Sequence, residues 1–431
     1  MIATLIAFAA SLALIFLRLP IAIVLAVVGF IGLFYTTGEI PARTIVGMSA
    51  QSSTMSYSLS VLPLFVLMGN LVAGAGISGN LFRSAQLFIG HRRGGLAMAT
   101  IVACGGFGAI CGSSVATAAT MSKVAMPSMR KYGYADGLSA ATLAAGGTLG
   151  ILIPPSVIMV IYAITTQSHI GMLFAGGIIP GILGVLGYVL AIRWVAWRRP
   201  SAAPRAEKAT WGERIHSLRA IWPVIILFTL VMGGIYSGLF TATEAAGIGA
   251  VGALAFAVFA KALSWKELWG IFVDTAMVST AMFAILFGAS VFVEFINLTG
   301  VHHYLEQLVQ NTNIPPLGII FIIIAVYIVL GCVLESVSMI LITVPVFFPI
   351  ITALGYDPVW FGLLVVISTE IGLITPPIGI NLFVIKSMVP DISMRKIFTG
   401  VIPFIVADII RICIIAVFPG IVLWLPYLLF K

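Results

Sequence analysis

One block of this chain occurs twice, 222 residues apart, in opposite charge surroundings. Met126–Pro127, Gly133–Tyr134 and the Gly-Ile-Leu-Ile-Pro-Pro run from Gly150 to Pro155 form the first copy. They return as Phe348–Pro349, Gly355–Tyr356 and the Gly-Leu-Ile-Thr-Pro-Pro run from Gly372 to Pro377. Arg92, Arg93, Arg130 and Lys131 bracket the first copy, whereas Glu267 to Ile385 contains no lysine or arginine. Basic loops stay cytoplasmic, so the copies are expected to enter a membrane from opposite faces. Inverted repeats with proline-broken helices imply a secondary transporter, with its site where the repeats meet.

Composition leaves no room for a soluble fold. Of 431 residues, 61% are hydrophobic and only 8% charged, against roughly 25% charged in ordinary globular domains. The net charge of +8 does not indicate nucleic acid, because the basic residues sit in short loops between apolar runs. The partner they indicate is a lipid bilayer. Met1 to Phe16 lacks a basic start and an obvious cleavage site, and reads as a retained span. Cys104, Cys111, Cys332 and Cys413 lie in apolar runs without paired-ligand spacing, which reads as buried free thiols.

Spans of about 20 apolar residues are expected near 2–17, 19–37, 61–77, 138–168, 171–197, 220–237, 243–261, 274–297, 358–388 and 400–426. The runs 96–130 and 315–353 are too long for one span and carry small polar residues midway, which predicts re-entrant hairpins. With Arg18 in the cytoplasm, counting crossings puts nearly every cation inside, including the loop from Arg193 to Arg219. Arg43 and Lys431 are the exceptions. Mixed polar-apolar segments at 79–91 and 302–310 read as surface-lying helices before each hairpin. Arg198 to Arg205 reads as a flexible polar linker between the halves.

The resulting fold class is an all-α polytopic membrane protein with inverted-topology repeats, two re-entrant hairpins and two broken helices. N-terminal scaffold spans occupy 1–60 and the first repeat 61–168. Linker spans with the basic loop 193–219 occupy 169–273, the second repeat 274–388 and a last span 389–431.

The chemistry is expected at the hairpin tips and helix breaks. The first tip, from Gly105 to Ser114, offers Gly112, Ser113 and Ser114; the second offers Glu335, Ser336 and Ser338. Gly146, Pro154 and Pro155 mark the first break, and Thr369, Gly372, Thr375, Pro376 and Pro377 the second. Each second proline removes a backbone donor and frees carbonyls. Freed carbonyls with hydroxyls suit Na⁺, while half-helix N-termini favour an anion. Simple kinking with close packing of small residues is the other reading of a single break; two breaks at one offset favour the cages. The expected ion ligands are Gly112, Ser114 and Gly146 in one site, and Glu335, Ser336, Thr369, Gly372 and Thr375 in the other, for two or more Na⁺. The expected substrate contacts are Ser113, Lys123, Pro154, Pro155, Ser338, Pro376 and Pro377.

Glu335 is the most informative acid, since a carboxylate at that depth costs roughly 2.5–3.5 kcal/mol. A Na⁺ ligand, a proton carrier or a cap on the returning half-helix would each explain it. Lys123 lies about 10 Å deeper than Arg130 along its helix and either meets a substrate carboxylate or snorkels to the cytoplasm. His302 and His303 with Glu306 read as a surface face rather than a metal site. Glu244 reads as part of a helix start capped by Thr241 or Thr243. Asp274 and Glu294 read as interfacial.

These stretches resemble the large membrane (M) subunit of tripartite ATP-independent periplasmic (TRAP) transporters. Gly112 to Ala119, Ile153 to Ser156, Ser237 to Ala245 and Ile371 to Gly379 carry the resemblance through most of the chain. Ala242 departs from the family, which usually has proline there, and Glu335 stands where many relatives carry aspartate. The resemblance implies an elevator-type, Na⁺-coupled importer of organic acids such as C4-dicarboxylates or sialic acid in the bacterial inner membrane. It also implies a soluble periplasmic substrate-binding protein and a small four-helix membrane Q subunit as partners. Proton coupling or transport without a binding protein is the alternative. A membrane-embedded enzyme would need a clustered His/Asp/Glu or Ser/His/Asp set within spans, which the sequence lacks. A passive channel would not need two proline-broken cages.

Overall fold

The computed structural model describes residues 2–301, 304, 307 and 314–430, which form helices and connecting turns without a strand. His302, His303 and Glu306, and most of the expected second surface helix, lie outside the described residues. Six described helices are long and apolar enough to cross a membrane, or eight if each sharply bent helix pair is one span. That is fewer than the ten expected spans. Ile21–Thr37 and Pro358–Ile374, among others, are apolar but at most 17 residues long.

Both hairpins form where expected. The first pairs Gly95–Cys111 with Ser114–Lys131, and the second pairs Pro316–Gly331 with Ser336–Ala353. The broken helices are Asp136–Leu152 with Val157–Thr166, and Pro358–Ile374 with Ile380–Met388. In both repeats a glycine pair sets the contact between hairpin and broken helix. A Cβ on Gly108 would lie 2.6 Å from the Cα of Gly150, and one on Gly372 would lie 2.4 Å from the Gly331 carbonyl carbon. Only hydrogen fits there, so backbone meets backbone at both positions.

The broken helices cross at repeat-equivalent residues. Thr148 Oγ1 bonds Glu370 Oε1 at 2.9 Å, and the two positions are 222 apart. The repeats therefore meet on a pseudo-two-fold axis that runs through this bond. Glu370 is fully buried and pairs with Arg411 at 2.6 Å. Arg411 also meets Asp408 at 2.8 Å, and Tyr188 donates to Asp408 at 2.6 Å. Gly184 makes the room, since a Cβ there would sit 2.1 Å from an Arg411 nitrogen. Asp408 and Arg411 were not singled out in the sequence.

Four elements differ from expectation. Glu39–Met55 is a helix that was not expected, and 400–426 divides into Met394–Val417 and Gly420–Leu429. Trp265–Leu298 starts earlier than expected because Ser264 and Glu267 form a reciprocal capping box. Glu244 does the same with Thr241 rather than Thr243. The first surface helix forms as Ile77–Ile89, with one face packed inward, where Leu81 reaches Gly106 of the hairpin.

The linker is also ordered rather than flexible. Gly94 N bonds Ala203 O, Ala135 N bonds Ala202 O, and Ala206 N bonds Gly90 O. Trp211–Leu218 then docks on Ile77–Ile89, with Arg214 donating to Leu87 O and Ser84 facing Ser217. These residues strap the cytoplasmic base of the first hairpin. The four cysteines are free thiols, three of them buried.

Breaking a buried ion pair by removing one partner costs about 3–5 kcal/mol, because the other charge stays buried. Arg411→Ala is therefore expected to lower the melting temperature of the solubilised protein sharply. Adding Glu370→Gln and Asp408→Asn should recover part of that loss. Equal melting of Arg411→Ala and wild type would contradict the buried network.

Candidate functional site

The two tips and the scaffold enclose a cavity of about 300 Å³. Gly112, Ser113 and Ser114 line one wall and Glu335 and Ser336 another. Asn70 and Met282 contribute from the helices Val61–Gly74 and Trp265–Leu298 opposite. Asn70 donates to Thr275 at 3.0 Å, tying those two scaffold helices together.

Local chemistry explains each tip. Gly112 ends the first leg with φ +65°, a left-handed conformation suited to glycine. Ser113 then caps the returning leg by accepting from Ala116 N. At the second tip Glu335 is the cap, accepting from Val337 N at 3.0 Å and Ser338 N at 3.3 Å. Its carboxylate thus occupies the positive end of the returning half-helix. Ser338 is fully buried, with its hydroxyl 3.4 Å from the same carboxylate oxygen.

The breaks supply carbonyls. Both Pro-Pro bonds, Pro154–Pro155 and Pro376–Pro377, are cis. Gly112 packs beside the Pro155 carbonyl, which a Cβ would approach to 3.1 Å. At the second break the Thr375 and Leu373 carbonyls lie within 3.2 Å of a Cβ built on Gly379. Gly379 N bonds the Cys332 carbonyl at 3.1 Å, joining this break to the second hairpin. Ser156 and Thr375 hydroxyls bond the Ile151 and Ile371 carbonyls.

The predicted residues separate into two groups. Gly112, Ser113, Ser114, Glu335 and Ser336 come together on the cavity wall. Pro154, Pro155, Gly372, Thr375, Pro376 and Pro377 lie in or beside the breaks behind it. Thr369 bonds Val365 O within its own helix, and its carbonyl faces Gly331. Gly146 packs against Cys104 of the first leg, whereas Gly147 is the glycine facing the Ser114 carbonyl. Lys123 is exposed beside Met126, Arg130 and Met388, away from the tips.

Asn381 is the residue that sequence reasoning missed. It follows the second break but donates to Ser114 Oγ at 2.6 Å and to Ala144 O at 3.2 Å. Its Oδ1 and the nearby Thr117 hydroxyl are buried without a partner. Unpaired oxygen at this depth suits a small hard cation. The available signal was a polar amide inside an apolar run just past a Pro-Pro break.

The first hairpin's tip meets the scaffold at Gly69, where a Cβ would lie 2.8 Å from Cys111 O. A separate cavity of about 600 Å³ opens where Gln167, Ser53 and Glu294 meet.

Comparison with known proteins identifies the chain's relatives. Residues 8–421 match the family described as "Tripartite ATP-independent periplasmic transporter, DctM component". The chain is 34% identical to a C4-dicarboxylate TRAP transporter large permease from Pseudomonas aeruginosa, covering 86% of each. It is 31% identical to an ectoine TRAP transporter large permease from Halomonas elongata, covering 98% of this chain and 99% of that one. A sialic acid TRAP transporter large permease from Vibrio cholerae is 32% identical, over 86% and 87%. Among solved structures, the Alcanivorax borkumensis YdaH transporter superposes with a TM-score of 0.67 at 15% identity, covering 97% and 98%. That likeness shows the fold. The relatives are permeases, not enzymes, and the chain is a multi-pass protein of the bacterial inner membrane. It belongs to the DctM family of tripartite ATP-independent periplasmic transporters.

Proposed function

We propose that this chain is the Na⁺-coupled membrane importer of an organic acid handed over by a periplasmic binding protein, with a Q subunit completing its scaffold. The observation that carries the reading is the tip cavity, whose wall brings an acid and hydroxyls together in front of two helix breaks with their carbonyls. Relatives named for C4-dicarboxylate and sialic acid transport support an organic acid as cargo.

Electrostatics explains the coupling. An organic anion in this cavity meets Glu335, and no lysine or arginine lines the wall. The half-helix N-termini supply only partial positive charge. Na⁺ at the Ser114–Asn381 corner and beside Glu335 makes up the deficit, so ion and anion binding favour each other. Alternating access follows if the hairpins and broken helices slide together along the scaffold past the Gly69 contact.

Four outcomes test this in proteoliposomes reconstituted with the partner subunits. Glu335→Ala should abolish Na⁺-driven uptake while Ser114→Ala, which spares carbonyl ligands, has a milder effect. Uptake at wild-type rate with Na⁺ replaced by choline would refute the coupling. A crosslink between Val66→Cys and Val115→Cys, which line one cavity from scaffold and hairpin, should stop transport reversibly; full activity in a verified crosslinked sample would refute the sliding motion. Lys123→Gln should leave the substrate KM unchanged, because that side chain is outside the cavity, and a raised KM would return it to the pathway.

A further inference from the structure

We propose that the cytoplasmic end of the bundle carries a headgroup site for an anionic phospholipid, built by Arg198, Arg199, Lys396 and Trp194. The site is a cavity of about 840 Å³ between the end of Ile170–Arg198 and the starts of Asp136–Leu152 and Met394–Val417. Its floor is a near backbone contact: a Cβ on Gly400 would lie 2.2 Å from the Gly137 carbonyl. These two helices meet so closely that the last turns of the third overhang a hollow.

Three cations line that hollow, and none makes an ion pair with another described residue. The one acid on its wall, Asp136, already faces Arg130 at 3.4 Å. All three are exposed, so water solvates them when the hollow is empty, and an anion seated there meets all three. Two cations come from adjacent positions on one helix end and the third from another helix, an arrangement that surrounds a phosphate rather than contacting it from one side.

The apolar part of the hollow selects the source of the phosphate. Trp194 is 51% exposed, one turn above Arg198, whose guanidinium lies 5.3 Å from the indole centroid. Ile402 is 54% exposed on the same wall. Tryptophan with an arginine below it is the arrangement of a membrane interface, with the ring at headgroup level and apolar side chains toward the acyl region. Basic pockets between helices on the cytoplasmic side hold anionic headgroups, each cation contributing about 1 kcal/mol. A free phosphate would use the cations and leave Trp194 and Ile402 without a role. The site lies away from the tip cavity and does not rest on Na⁺ coupling.

Native mass spectrometry and thermal unfolding of the purified chain test the proposal with three probes: phosphatidylglycerol, phosphatidylcholine and inorganic phosphate. Wild type should retain phosphatidylglycerol and be stabilised by it, with little effect from the other two. Arg198→Gln, Arg199→Gln and Lys396→Gln together should weaken retention roughly a hundredfold, about fivefold for each cation. A control triple, Arg83→Gln, Lys208→Gln and Arg219→Gln, removes equal charge elsewhere on the cytoplasmic side and should retain the lipid. Arg199→Gln alone gives the fivefold reading if the triple folds poorly. Equal loss in the control triple would reduce the effect to general attraction. Equal stabilisation by inorganic phosphate would remove the lipid, and equal retention of phosphatidylcholine would remove the anion.

Discussion

Backbone broken inside a bilayer must be covered by protein or line a cavity, and that constraint governs the rest of the fold. Pro155 and Pro377 leave the carbonyls of Ile151 and Leu373, both buried residues, without a helical donor, so protein or a bound ion must cover them. The Ser156 hydroxyl bonds the first, and the hairpins pack over both breaks. Each comes in from its own side and lays its first leg against the broken helix, glycine on glycine, at Gly108 with Gly150 and Gly331 with Gly372. Without those hydrogens in place of side chains, the tips could not reach the breaks. The cavity is the part of the arrangement that remains uncovered.

The two repeats are then locked by charge and by chain. Glu370, Asp408, Arg411, Tyr188 and Thr148 form one buried network, in which two acids share a single guanidinium. Such a network contributes little net stability against a well-packed apolar core, but it specifies which helices meet and at what height. At the cytoplasmic end the linker does comparable work with backbone hydrogen bonds. It reaches Gly90, Gly94 and Ala135 before continuing into the scaffold span Trp222–Tyr236. The moving hairpin proposed above is thereby joined to fixed helices by an ordered strap, and its travel is bounded by the length of that strap.

Much of the fold was legible because the relevant signals are local. Prolines at a fixed offset, cations confined to alternate loops and small residues midway through long apolar runs were enough to locate both hairpins and both breaks. The ordered linker was not legible, since Pro200, Ser201 and Ala202 look like any flexible connection until Gly94 and Ala135 arrive to bond their neighbours. Asn381 and Gly147 were not legible for the same reason: which residue beside a break faces the tip depends on helix rotation, which turns Gly147 rather than Gly146 toward Ser114. Asp408 and Arg411 did carry a signal. Opposite charges three residues apart in an apolar helix share one face, and their neutral sum hides them from a count of charged loops.

The Thr148–Glu370 bond also bears on how such a molecule could arise. Had the halves once been separate identical chains inserted in opposite orientations, each residue on the symmetry axis would have faced its own copy. Threonine opposite threonine is tolerable there, but glutamate opposite glutamate would set two carboxylates together without solvent. A mixed pair needs two positions that mutate independently, which requires two copies of the coding sequence. The present pairing therefore postdates duplication, and Arg411 completes it from the helix that follows the second break.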